Sequence, residues 1–357
     1  MAAREQRLEL IAALEDAREG RKLITYLTST RQNLEVQMAM DTIPVVYRHL
    51  QALDTAKADT RIDLFLHSNG GDGTVPWRLV TLIREFCKEF NVLVPHHAFS
   101  AATLTALGAD KVVMHPMGML GPTDPTANHP FNPPNPDVPG QVLGISVEDV
   151  SSYIGLVKED VGIQHEDELI QAFNILAQQV HPLALGNVKR ATSQSRMMGE
   201  KLLNLRPGDD IGSHELTELI DKLTSQLYFH GHPINRAEAR EDVRLDFVED
   251  APQAVETAMW NLYQGYDEEL EQTKPFDLGH ELATRNALPA PGVFDPTIQA
   301  APPNVTNTDL GSFTMAYIES ANRADVAKME LQVTAQRDMT GKLQYDLIST
   351  AGAWEEE

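Results

Sequence analysis

Two apolar runs, IDLFL at 62–66 and NVLV at 91–94, are joined by a glycine turn, HSNGGDG at 67–73, and a helix-patterned stretch, VPWRLVTLIREF at 75–86. Strand, turn, helix and strand in that order can close only as a parallel pair with the helix packed across it. The pattern then repeats. PHHAF leads into Ser100 and the helix-like SAATLTAL, after which ADKVVMHP at 109–116 reads as another strand and GMLGPTDP at 118–125 as a turn. Upstream, RKLITYLTS at 21–29 reads as a first strand. Asp41 and Thr42 are N-cap candidates, and Pro44 is tolerated in the first turn of a helix reaching about Ala56. These alternations predict an α/β fold built on a largely parallel sheet with helices on its faces.

The flanks carry weaker patterns. Leu8, Ile11 and Leu14 fall at helical spacing within 4–18, as an amphipathic helix packing on the main domain or on a neighbouring subunit. Residues 128–140 (NHPFNPPNPDVPG) hold five prolines and predict an irregular loop, either a lid over a site or a plain connector. Helical periodicity returns at 146–160, at 166–180 and in several segments up to about residue 270. Residues 286–304 are proline-bearing and read as a linker, and period-two alternation beyond them predicts a small β-rich appendage. The expected organisation is an N-terminal helix (1–20), a main domain (21–285), a linker (286–304) and a C-terminal β appendage (305–357).

Bulk properties narrow the function. With 52 acidic against 29 basic residues the net charge is −23, which argues against a nucleic-acid or anionic-membrane surface. No apolar run approaches the ~20 residues needed to span a bilayer, and the charged N-terminus lacks the apolar block of a signal peptide, so the expected compartment is the cytoplasm. Cys87 is the sole cysteine, which rules out an intramolecular disulfide and suits a small buried residue on a helix. HSNGGDG is neither G-x-G-x-x-G nor a P-loop, so it carries no nucleotide-binding signal. His230 and His232 form H-G-H and His165 precedes acidic residues, but no H-E-x-x-H or cysteine pair completes a metal site. No metal or organic cofactor is expected.

Ser100 is the residue best placed for covalent chemistry. It sits where a strand passes into a helix, flanked by the small Ala98, Ala101 and Ala102, near the positive end of the helix. Gly70 and Gly71 close the preceding strand and can turn backbone N–H groups outward, as an oxyanion site requires. By this reading alone Ser100 is either a helix N-cap or a nucleophile.

The ordered set HSNGG at 67–71, PHHAFSAATLTALGADKVVMHP at 95–116 and MLGPTDP at 119–125 resembles the serine dehydrogenase proteinase family. That family groups with the Clp-fold serine peptidases, together with the Clp peptidase and signal peptide peptidase A, and more distantly with the crotonases. The resemblance extends over about residues 20–265, including FHGHPINRAEA at 229–239. It implies a ClpP/crotonase-like superhelix of βαβ units, Ser100 as nucleophile, and an oxyanion hole from Gly71 and Ala101 beside Gly70. It further implies a peptide or protein substrate lying along a strand edge, and subunits assembled as rings or stacks.

For the base, Thr123 and Asp124 stand where the Clp peptidase has a histidine, whereas signal peptide peptidase A uses a downstream lysine. Lys158 falls in the comparable helical region, which implies a Ser-Lys dyad. His97 and His115 are its rivals, with His129 behind them, and Asp124 either caps a turn or orients the base. Two other readings stay open: a crotonase-type enzyme acting on acyl-CoA thioesters, and a scaffold that keeps the fold without a competent base.

Overall fold

A computed structural model describes residues 2–53, 56–127, 129–135, 141–206, 212–226, 232–289, 305–337 and 342–357. The part of the expected linker at 290–304, part of the proline loop and His230 lie outside these residues.

Eight strands form the main sheet: β1 (Lys22–Thr28), β2 (Arg61–His67), β3 (Glu89–Val94), β4 (Lys111–Met114), β5 (Val248–Asp250), β6 (Val305–Ser320), β7 (Arg323–Arg337) and β8 (Leu343–Glu356). Their spatial order is β5-β4-β3-β2-β1-β6-β7-β8. The first five run parallel. The last three are antiparallel additions to the edge of β1. Val305–Ser320, Arg323–Arg337 and Leu343–Glu356 are therefore strands, in the region where alternation predicts them, and they continue the central sheet.

The parallel strands β1–β4 are buried on both faces, which is why they read as near-continuous apolar runs, whereas the edge strand β5 exposes Glu249 and Asp250. Ile24, Tyr26, Leu64, Leu66, Val92 and Val94 face one core, shared with α2 (Thr42–Gln51), α3 (Val75–Arg84) and α4 (Ala101–Leu107). The alternate residues Leu23, Leu27, Phe65, Leu93 and Val113 face a second core. That core is closed by α1 (Ala2–Ala17), through Ile11 and Leu14, and by the long helix Gln253–Leu270. The N-terminal helix thus packs on its own domain. A third cluster seats the β6–β7 hairpin on Phe276, Leu278 and Leu282.

Beyond α4 the chain builds a helical flank of α5 (Val147–Gly155), α6 (Glu166–Gln179) and α7 (Pro182–Leu203), with Pro182 at the start of α7. Gly199 lets α7 lie close to its neighbours, since a Cβ there would stand 2.5 Å from Ile220. Asp41 does not cap α2 with its side chain; its Oδ2 instead accepts from Trp354 Nε1 at 3.1 Å. Cys87 is buried, its thiol donates to the Ile83 carbonyl, and burial pushes it up to about 11, as a structural cysteine would be. Among the described residues no helix is long and apolar enough to cross a membrane.

Candidate active site

The carboxyl ends of parallel strands are where open α/β sheets collect their sites. Here β2 runs on past His67, and its tail pairs with the short strand His97–Ala98: Ser68 N–H donates to the His97 carbonyl at 2.9 Å, and Phe99 N–H to the Ser68 carbonyl at 3.0 Å. This places the glycine pair directly beside Ser100. A Cβ on Gly70 would stand 2.6 Å from the Phe99 carbonyl and 2.9 Å from the Ala101 nitrogen, and Gly70 has φ +95°, so only glycine fits.

The two glycines have different roles. Gly70 N–H is used internally, donating to Ser68 Oγ at 3.0 Å, so it is withdrawn from the expected oxyanion set. Gly71 is bridged in parallel to Met38 through its neighbours: Met38 N–H donates to the Gly70 carbonyl at 2.8 Å and Asp72 N–H to the Met38 carbonyl at 2.9 Å. In a parallel bridge the central residue's own N–H turns to the opposite edge. That edge is the cavity, which Gly71 lines.

Ser100 has φ +51° and ψ −114°, a conformation rare for any residue with a Cβ, and its hydroxyl makes no cap bond to the helix. The N-cap alternative therefore gives way. Strained backbone of this kind persists only where its surroundings over-determine it. Thr103 is part of that restraint, with Oγ1 2.6 Å from the Ala98 carbonyl and accepting from Gly121 N–H at 3.0 Å. Ala101 opens α4, so its N–H is one of the first-turn donors that a helix leaves without an internal acceptor. Ser100, Gly71 and Ala101 thus line one cavity of 590 Å³.

The opposite wall comes from α7, through Ala191, Gln194 and Ser195. Ser195 Oγ donates to the Thr123 carbonyl at 2.5 Å, fixing the MLGPTDP turn against the helix. The sequence pattern predicts a helix running on past Pro182 towards Arg196 but does not place it at the site. The available signal was the small series Ala191, Ser195 and Gly199, four residues apart on one helical face. Met38 was missed because its partner, Gly71, is distant in the chain.

The expected bases are elsewhere. Lys158 is exposed in the π-helical turn Leu156–Asp160 and does not line the cavity. His97 stacks with His96 and His67 and does not line the cavity, and burial holds it down at about 4. His115 is buried against Trp260, with ring centroids 4.9 Å apart; burial lowers it, and its Nδ1 accepts from Met117 N–H. His129 serves its own turn, accepting from Phe131 N–H. Asp124 is buried between the cavity residues Thr123 and Pro125. Among the described lining residues Asp72 is the only ionisable one, and its carboxylate accepts from Thr74 N–H and Oγ1. His232 pairs with Glu238 at 2.6 Å.

Residues 3–138 match the family model of the ClpP-like SDH-type serine proteinases. The matched span takes in the glycine turn, Ser100 and the MLGPTDP turn, and ends before Lys158 and α7. Two uncharacterized proteins of Methanocaldococcus jannaschii are similar to the chain. One is 29% identical over 210 residues, covering 59% of this chain and 61% of the relative. The other is 25% identical over 192 residues, covering 54% of each. The matched part of the chain thus spans less than two thirds of either relative.

Proposed function

With residues 3–138 matching the ClpP-like SDH-type serine proteinases, we propose that the protein is a serine peptidase acting through an acyl-enzyme on Ser100. The observation that supports this reading is the strained, uncapped Ser100 on a cavity that Gly71 and Ala101 also line. In the proposed step Ser100 Oγ attacks the scissile carbonyl, and the tetrahedral oxyanion forms between the N–H groups of Gly71 and Ala101. The amine leaves protonated, and water then releases the acyl group from Ser100.

Lys158 is the proposed base on its spacing from Ser100. Its exposure means that it acts only when the α5–α6 segment closes on the cavity, where desolvation would lower its pKa. Peptide or protein substrates are proposed, without metal or organic cofactor in the hydrolysis, in a cytoplasmic homo-oligomer. Exposed Ile170, Phe173 and Ile175 on α6 support subunit contacts. One observation favours a second reading, a scaffold that keeps the fold without catalysis: the described lining offers no lysine or histidine.

A fluorophosphonate probe separates the two. The peptidase reading expects labelling of the wild type and none of Ser100→Ala, and it expects Lys158→Ala to lose peptide hydrolysis. Absent serine-dependent labelling would overturn the peptidase reading, and full activity in Lys158→Ala would remove the lysine.

A further inference from the structure

On the opposite side of the β2 tail from the serine cavity, three imidazoles gather. His67 ends β2, and His96 and His97 lead towards Ser100. One ring nitrogen from each lies within 4.8 Å of the other two. His67 is fully buried, whereas His96 and His97 are partly exposed, so solvent reaches the group from one side. Tyr263 OH lies 3.1 Å from His96 Nδ1 and orients that ring. Among the described residues, three buried polar atoms near the group have no hydrogen-bond partner: His97 Nδ1, Gln272 Nε2 and Asp267 Oδ1. Gln272 reaches His67 through its Oε1 at 3.1 Å, and Asp267 lies one turn along the helix from Tyr263. Unmet polar atoms collected around ligating nitrogens mark a place built for an ion and its water.

We propose that His67, His96 and His97 bind a divalent transition-metal ion of the imidazole-preferring class, such as Zn²⁺, and that the bound ion slows chemistry at Ser100. Imidazole nitrogens suit zinc, copper and nickel, and zinc holds them at about 2.0–2.1 Å. The rings now stack, with His96 and His97 centred 4.1 Å apart and 17° from parallel. Binding turns them about the soft Cβ–ring torsion and draws the nitrogens inwards.

The coupling rests on Ser100 being the nucleophile and follows from one hydrogen bond. His97 N–H donates to His67 Nδ1 at 3.1 Å, so the His67 hydrogen sits on Nε2 and points to Gln272. Metal on Nδ1 takes the lone pair that this bond uses. Metal on Nε2 forces the hydrogen onto Nδ1, against the His97 N–H. Either way one of the contacts that tie the Ser100 segment to β2, the one made three residues before the nucleophile, is exchanged for the ion, while the backbone bonds between Ser68 and residues 97 and 99 remain.

The test uses the full chain stripped with a chelator and titrated with ZnCl₂ by calorimetry, with CoCl₂ for the visible spectrum of histidine ligation. One ion per chain is expected. His96→Gln and His97→Gln should each weaken binding at least tenfold, while His232→Gln and Ser100→Ala should retain it. Zn²⁺ should slow fluorophosphonate labelling of the wild type at least tenfold, but not that of His96→Gln at the same concentration. No stoichiometric binding, or binding unchanged in both His96→Gln and His97→Gln, overturns the site. Binding without slower labelling overturns the coupling. Because Ser100→Ala is titrated too, a failed nucleophile assignment shows in the labelling arm and leaves the ion-binding result to be read by itself.

Discussion

A Cβ on Gly70 would stand 2.7 Å from the Cβ of Ser100, so the glycine turn and the serine share one space. Gly70→Ala must therefore push Ser100 out of position or distort the β2 tail. Fluorophosphonate labelling is expected to fall at least 100-fold, about 3 kcal/mol of barrier. Gly73→Ala is the control, because nothing lies within 4 Å of a Cβ there. Equal labelling of the two variants would refute the steric argument.

Ser100→Gly should separate stability from activity. Glycine adopts the φ +51°, ψ −114° backbone far more readily, and relief of such strain is worth about 1–3 kcal/mol. Glycine's larger unfolded-state entropy opposes this by about 0.5–1 kcal/mol, so a net gain near 1 kcal/mol is expected in urea unfolding, with labelling abolished. Ser100→Ala, which keeps the strain, should show no such gain.

Burial of Glu319 makes the joint between the chain's two ends sensitive to charge. Its Oε2 accepts from Arg7 Nε at 2.7 Å and from Tyr266 OH at 2.8 Å, and both Arg7 and Glu319 are enclosed. Arg7 also pairs with Glu269 and Glu357. Glu319→Gln removes the most buried of these partners and is expected to cost about 3 kcal/mol, at the lower end for breaking a buried pair. A denaturation midpoint indistinguishable from wild type would contradict that assignment.

Acid should loosen the same C-terminal strands through His49. The ring bridges Ser320 Oγ at 2.8 Å and Asp325 Oδ2 at 3.1 Å, an order that imitates a hydrolase triad, but all three residues are buried. Burial depresses His49 to about 4, against the pull of Asp325 and with help from Arg323 and Arg48. The unfolded chain takes up this proton near pH 6.5, while the folded chain resists it until about pH 4. Stability from this group is thus complete above pH 6.5 and declines as pH falls towards 4, by on the order of 3 kcal/mol in total. Urea midpoints at pH 7 and pH 4.5 should differ less in His49→Gln than in wild type.

What the sequence alone determined is what depends on near neighbours. The alternation of short apolar runs, glycine turns and helical periods specified a parallel α/β sheet, and it put Ser100 at a strand-to-helix junction after a glycine pair, because strand and helix periods and turn residues act over a few positions. It could not distinguish Gly70 from Gly71, since which N–H is free depends on Met38 pairing across the chain. Nor could it tell a capping serine from a strained one. The C-terminal strands read as strands, but their partner β1 lies some 290 residues away. The same limit hid α7 as a wall of the cavity and kept Lys158 looking close to Ser100. Tertiary structure decided these points, because pairing across long chain separations is chosen by burial and register and leaves little trace in local pattern.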